Sequence, residues 1–465
     1  MHWIDLLIIC LFLGGFSIYG IWQSKFNISS DDYFLAGRTL PWPVAMLSIV
    51  ATETSVLTFI SVPGLAFRGD WTFLQLSIGY IIGRICASIF LLPQYFKYGI
   101  SSIYEILGKK FGKDIQKVAS SIFLITRILA DGVRFLATAV IVQLITGWSL
   151  PFSVLIIGLV TLIYTLNGGI RTVVWIDSVQ FVLYLVGGVL SIIFILNYLN
   201  QPMTSLLLQL SEGSKLSIFN FDGNMFKDPF FAFNAIIGGI LLSFSSHGVD
   251  YMMVQRVLGT KNLKSAQKAM IGSGIVVFVQ FLIFLIAGSL IYILMEGAKL
   301  DNDREFTTFI INYLPIGIKG ILLAGVLSAA MSTLSSSVNS LSSSIITDWM
   351  GGDKSIKESQ LVGFICGLVL ILIALLFDES DSAIVIVGLQ IASFTYGGLL
   401  GLFLLSRFKT NFHNSSLICG LLFSFLIVFY LKYIELPWTW FIAFSVSANI
   451  FITILCESAI RNVKR

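Results

Sequence analysis

The sequence predicts an all-α integral membrane protein that crosses the bilayer about thirteen times. Of its 465 residues, 56% are hydrophobic and 12% charged, whereas soluble domains carry about 25% charged residues. Apolar runs of about 20 residues, the length a spanning helix needs, recur from Trp3 to Ile460. These runs are apolar all round rather than alternating, which argues against the strands of a membrane barrel.

In chain order the runs fall at 3–22, 41–66, 72–96, 118–146, 151–168, 173–198, 229–254, 268–297, 319–348, 359–377, 381–406, 414–431 and 436–460. The first lacks a preceding basic stretch and a small-residue cleavage site, so it is expected to be a retained span. With the N-terminus outside and the C-terminus cytoplasmic, the cytoplasmic connections hold most of the Lys and Arg. Lys109, Lys110, Lys113, Lys117, Arg171, Arg256, Lys261 and Lys264 are among them. The outer connections hold only Arg68, Lys215, Lys227, Lys299, Arg304, Lys319 and Lys432, and this asymmetry favours that orientation. The longest connections, 199–228 and 298–318, are amphipathic enough for short surface helices. The net charge of +4 is used by this topology and points to no nucleic-acid partner. The five cysteines lie in apolar runs without C-x-x-C spacing, so they read as packing residues.

Polar residues inside the runs mark the working region. The 41–66 run contains Ala51-Thr52-Glu53-Thr54-Ser55, then Thr58. The 229–254 run contains Ser243-Phe244-Ser245-Ser246-His247-Gly248. Both are helix-weakening interruptions, and they occupy matching places if 41–198 and 229–406 are two five-helix repeats. Paired broken helices of this kind point to a transport site near the midplane. A leading helix at 3–22 and two trailing helices over 414–460 complete a single transmembrane domain, 1–465. The 319–348 run carries the hydroxyls of Ser332, Ser335, Ser336 and Ser340, with the amide of Asn339, along one helix face. Oxygen ligands suit a hard cation; small residues also permit close helix packing. Both uses fit this face.

At these residues the chain resembles the sodium/solute symporter family, which includes the sodium–glucose, sialic acid, proline and iodide transporters. The resemblance is carried by Asp31-Asp32-Tyr33-Phe34-Leu35-Ala36-Gly37-Arg38, by Gly168-Gly169-Ile170-Arg171 through Trp175 and Asp177, by Val254-Gln255-Arg256-Val257-Leu258, and by the serine-rich run. It implies a LeuT-like five-plus-five inverted repeat with one helix before it and two after it. It also implies a first sodium site made of the carbonyls of Ala51, Thr54 and Ala329 with the hydroxyls of Ser332 and Thr333. A second sodium site would use Asp177 with Ser332, Ser335 and Ser336. The alternative for Asp177 is an interfacial pair with Arg171.

The polar candidates for solute are Ser55, Thr58, Trp71, Gln75, Arg127, Ser243, Ser246, His247 and Gln390. Arg127, Asp131 and Arg134 share one helix face. Either they close a structural network, Arg127–Asp131 and Arg134–Glu53, or one arginine is free for a solute carboxylate. The two readings stand level. The expected function is secondary active transport: sodium, the one cofactor implied, flows inward and drives uptake of a small polar organic solute (a sugar, sialic acid or other carboxylate) by alternating access. The setting is the lipid bilayer of the cell, or inner, membrane, with no obligate protein partner. A membrane sensor of solute is the alternative. No nucleophile–base pair, metal-ligand motif or phosphate loop points to an enzyme.

Overall fold

The computed structural model describes residues 2–54, 56–352, 354–376 and 384–463. Its long helices are α1 (Trp3–Gln23), α2 (Trp42–Glu53), α3 (Val56–Arg68), α4 (Leu74–Phe90), α5 (Lys113–Thr146), α6 (Leu150–Leu199) and α7 (Ala232–Val249). There follow α8 (Tyr251–Leu258), α9 (Leu263–Leu294), α10 (Ile318–Ser344), α11 (Ile356–Leu376), α12 (Ile384–Leu405), α13 (Asn414–Tyr433) and α14 (Phe441–Val463). Among the described residues nine helices are long and apolar enough to cross a membrane, and the bent pair α2–α3 makes a tenth. Positions 377 and 381–383, at the edges of two expected spans, lie outside the described residues. The connections at 199–228 and 298–318 carry the short helices Met203–Glu212 and Glu305–Asn312.

Large apolar side chains face outward on the flanking helices, as Leu11, Ile18, Leu372, Leu422 and Leu426 do. The hydroxyls and charges of α10 and its neighbours are buried. That is the inside-out distribution a lipid solvent favours. α10 lies at the centre, with every serine from Ser328 to Ser344 buried. α4 packs against α7 through glycines: a Cβ on Gly79 would stand 2.3 Å from the carbonyl oxygen of Ile236. Such close backbone approach replaces the missing hydrophobic drive between helices in lipid.

Three chain breaks shape the interior. At the end of α2, Thr54 leaves the helical region (φ −87°, ψ 84°) and the axis turns by 63° into α3. α6 is 50 residues long, about 75 Å at 1.5 Å per residue and far beyond one bilayer core of about 30 Å. Its one non-helical residue is Gly169 (φ 62°, ψ −167°), between the expected runs 151–168 and 173–198. Only glycine fits there, because a Cβ would meet the carbonyl oxygen of Tyr33 at 2.6 Å. The third break differs from expectation. The Ser243–Gly248 segment is continuous helix, and the chain turns at Asp250 instead. Asp250 is extended and its carboxylate accepts from the Met252 N–H at 2.9 Å, capping α8. The serines and His247 therefore serve as side chains rather than as a disruption of the helix.

Candidate functional site

Asp177 is held at the meeting of four helices. It projects from α6 and is wholly buried. Ser332 Oγ donates to Oδ1 at 2.6 Å. Ser48 Oγ donates to Oδ2 at 2.7 Å, and Thr52 Oγ1 approaches the same oxygen at 3.4 Å. Thr52 Oγ1 also lies 3.2 Å from Ser336 Oγ, tying the last turn of α2 to α10. The cation facing Asp177 is Arg256, whose Nη2 is 3.4 Å from Oδ2. Arg171 is not its partner: that guanidinium donates to the Ala36 carbonyl at 2.8 Å and to Thr39 Oγ1 at 3.1 Å. Arg256 is correspondingly not a cytoplasmic loop residue but fully buried on α8.

The residues named for the first sodium site lie on the two elements joined by the Thr52–Ser336 contact. Ala51 and Thr54 end α2, where the break leaves carbonyls without helical donors. Ala329, Ser332 and Thr333 lie buried on α10. The Thr333 hydroxyl points to the Ala329 carbonyl at 3.4 Å, and Thr54 Oγ1 donates to Gln280 Oε1 at 3.0 Å. Ser335 back-bonds to the Ser332 carbonyl at 3.0 Å. Hydroxyls and carbonyls in this density can replace part of a hard cation's hydration shell.

The solute candidates separate into groups. Ser55 lies outside the described residues. Thr58 is buried and Gln390 half-buried. Trp71 and Gln75 secure the segment before α4: Trp71 Nε1 donates to Ser289 Oγ at 2.9 Å, and Gln75 Nε2 donates to the Phe230 carbonyl at 3.0 Å. Ser243, Ser246 and His247 gather beside Glu53 and Arg84. Arg84 pairs with Glu53, donates to Ser273 Oγ at 2.6 Å and reaches Ser243 Oγ at 3.4 Å. Ser246 Oγ bonds His247 Nδ1 at 2.8 Å, and His247 Nε2 stands 3.8 Å from Glu53. Glu53 thus belongs with Arg84, not Arg134.

The arginines of α5 divide in role. Arg127 is saturated: Nε donates to Asp250 Oδ2 at 2.7 Å, Nη2 to Asp250 and Tyr396, and Nη1 to Asp131 at 3.3 Å. Ser337 of α10 also donates to Asp131. Among the described residues Arg134 pairs with Asp131 alone: its buried Nη1 lies 3.5 Å from Oδ1, the oxygen that Arg127 also faces, and makes no hydrogen bond.

Sequence reasoning missed Arg84, Arg256, Asp250 and Tyr396 as site residues. Arg84 could have been found, since a guanidinium in an apolar run is itself a signal. Asp250 was legible as a helix cap. Arg256 was hidden by its place among basic loop residues. The segments that carry the family resemblance meet in space: Gln255 Nε2 donates to the Phe34 carbonyl at 2.9 Å, and Arg256 faces Asp177.

The family described as Sodium:solute symporter family matches residues 33–424. The chain is 26% identical to the sodium/sialic acid symporter SiaT of Proteus mirabilis, covering 91% of this chain and 88% of that one. It is 26% identical to human sodium-coupled monocarboxylate transporter 2, over 83% of this chain and 64% of the longer human protein. A solved substrate-bound, outward-open Na+-coupled sialic acid symporter superposes with a TM-score of 0.89 at 24% identity, over 98% of each chain. The fold is therefore that of Na+-coupled transporters. The multi-pass chain works with sodium and a small organic solute, as a transporter and not an enzyme: it belongs to the sodium:solute symporter family.

Proposed function

We propose that this chain takes up a small organic acid by alternating access across the cell membrane, with sodium entering down its gradient. The observation that carries the solute class is Arg134, whose buried Nη1 makes no hydrogen bond and only a 3.5 Å ion pair with Asp131, while Arg84 and Arg127 are hydrogen-bonded to Glu53 and Asp250. A planar guanidinium fork suits a carboxylate. Similarity to transporters named for sialic acid and monocarboxylates supports the same class. The solute site is placed between Arg134, Glu53, His247, Ser246 and Thr58. The first sodium takes Ala51, Thr54, Ala329, Ser332 and Thr333, and the second takes Asp177 with Ser332, Ser335 and Ser336.

The architecture proposed is thirteen spans in one domain. Counting α5, α12 and the two parts of α6 on either side of Gly169 brings the helices to that number. The repeats are 41–198 and 229–406, related by inversion. The broken elements α2–α3 and α7–α8 occupy the first position of each. The Lys and Arg bias places the N-terminus outside and the C-terminus in the cytoplasm. The domain needs only lipid around it, and no protein partner. Sodium and solute must favour each other's binding to the same degree. Each inward sodium adds about 2.3 kcal/mol per 100 mV of inside-negative potential.

A thermal-shift series on purified protein tests the solute class, using N-acetylneuraminic acid, lactate, glucose and mannitol with and without sodium. An acid should stabilise only when sodium is present. Stabilisation by the neutral polyols alone would overturn the assignment.

A further inference from the structure

We propose that Arg256 is a tethered cation that occupies the second sodium position and must be displaced before sodium binds there. The inference rests on the reading of Asp177 as a sodium ligand. Arg256 is fully buried on α8. Its Nε donates to Ser48 Oγ at 2.9 Å, its Nη2 bonds Ser336 Oγ and its Nη1 bonds the Met252 carbonyl. The contact with Asp177 is a single one, Nη2 to Oδ2 at 3.4 Å. A dedicated guanidinium–carboxylate pair is bidentate at about 2.7–2.9 Å. Arg256 instead spends its hydrogen bonds on the hydroxyls of Ser48 and Ser336, whose lone pairs a hard cation would otherwise take.

Charge makes the occupancy exclusive. Asp177 is the one carboxylate in contact with this guanidinium among the described residues. Guanidinium and sodium together would place two positive charges in a dry site against one negative charge, a state that low-dielectric surroundings penalise heavily. Either cation alone neutralises Asp177. Displacing Arg256 also shifts α8, and α8 is fastened on the cytoplasmic side of this reading. Tyr251 Oη donates to the Ser101 carbonyl at 2.6 Å and lies 2.7 Å from Ser343 Oγ. Gln255 Nε2 bonds the Phe34 carbonyl and, at 2.8 Å, Asn339 Oδ1. Exchange of guanidinium for sodium thereby links ion occupancy to the contacts that hold α8 against the segments around residues 34 and 101.

The test is equilibrium binding of radioactive sodium to the purified protein, together with its melting temperature over a sodium titration. Arg256→Gln keeps a polar end and removes the competing charge. Its apparent sodium affinity should rise at least about tenfold, within the range of known site couplings. Its melting temperature should depend on sodium more steeply than the wild type's, and a variant that folds only in sodium supports the proposal equally. Asp177→Asn combined with Arg256→Gln removes both charges, and should lose the added affinity. Arg256→Gln with wild-type sodium binding would overturn the proposal. So would Arg256→Gln that unfolds in saturating sodium while the double variant folds; Arg256 is then a fixed structural counter-ion. In those cases Asp177→Asn still alters sodium binding. If Asp177→Asn leaves sodium binding untouched, the second sodium site itself is the reading that fails, and the proposal falls with it.

Discussion

Ser332 Oγ on α10 donates to Asp177 Oδ1 on α6 at 2.6 Å, a buried contact between residues 155 apart in the chain. Ser332 is also the residue shared by both proposed sodium sites. Any cation that draws the Ser332 oxygen toward α2 alters the hydrogen bonding of Asp177. In that proposal the two sites are coupled through one hydroxyl, without a relay of side chains.

Ser332→Ala and Thr333→Ala should each weaken sodium activation, because each removes an oxygen that replaces water on the ion. The loss expected is about tenfold in apparent sodium affinity for each, close to 1.4 kcal/mol for one charge-assisted contact. The double variant should bind solute poorly even in high sodium. Uptake measured against sodium concentration checks this, and unchanged activation in the double variant would refute the first-site assignment.

Arg127→Gln and Arg134→Gln should differ in kind. Loss of Arg127 strands the buried carboxylate of Asp250 and weakens the support of Asp131, at a cost of about 3–5 kcal/mol. That variant should be recovered in low yield and melt early. Loss of Arg134 leaves Asp131 paired with Arg127 at 3.3 Å. Arg134→Gln should fold and respond to sodium, while acid uptake falls by about a hundredfold, as for a lost charged contact of about 3 kcal/mol. Melting curves beside uptake assays separate the two.

Much of this was legible in the sequence for physical reasons. Apolar runs announce spanning helices because lipid leaves the backbone no alternative. The break at Glu53-Thr54 was visible as a polar patch within such a run. The break at Asp250 was misplaced because the Ser243–Gly248 cluster looks equally disruptive, yet it stays helical: Ser243 donates to the Tyr80 carbonyl and Ser246 bonds the His247 ring. Pairing was the least legible feature. Arg127, Asp131, Arg134, Glu53, Arg84 and Asp177 were all visible as charges. Which carboxylate meets which guanidinium depends on helix contacts across 123 residues in the case of Arg127 and Asp250. Local spacing therefore offered Arg171 as the alternative partner of Asp177, and Glu53 was set beside Arg134 where the structure pairs it with Arg84.

Asp177→Asn keeps the shape of the second site and removes its charge. Sodium-dependent uptake should persist through the first site, with the Hill coefficient for sodium falling from near two toward about one. Charge moved per solute in proteoliposomes should fall by about one elementary charge. A wild type that already moves one sodium per solute would remove the second site from the mechanism.

Outside the spans, Arg68 at the end of α3 pairs with Glu305 of the short helix Glu305–Asn312. Burial pushes the Glu305 carboxyl above its ordinary value of 4.5, with Arg68 pulling the other way. A raised acid pKa means that the folded chain binds the proton more readily than the unfolded one. Stability should therefore fall as pH rises through the interval just above 4.5, and Glu305→Gln should abolish that slope. Arg68→Gln removes the lowering partner and should extend the slope to higher pH. Melting temperatures over a pH series measure both effects.

The most direct test of the account is solute uptake into sealed proteoliposomes with the sodium gradient as the only driving force. Sodium outside and potassium inside should drive an organic acid to accumulate above its external concentration. An inside-negative potential should increase the accumulation, because net positive charge enters. Ser332→Ala/Thr333→Ala vesicles should only equilibrate slowly. Equal accumulation with and without the sodium gradient, or none with any acid while the solute still binds in sodium, would contradict sodium-driven symport.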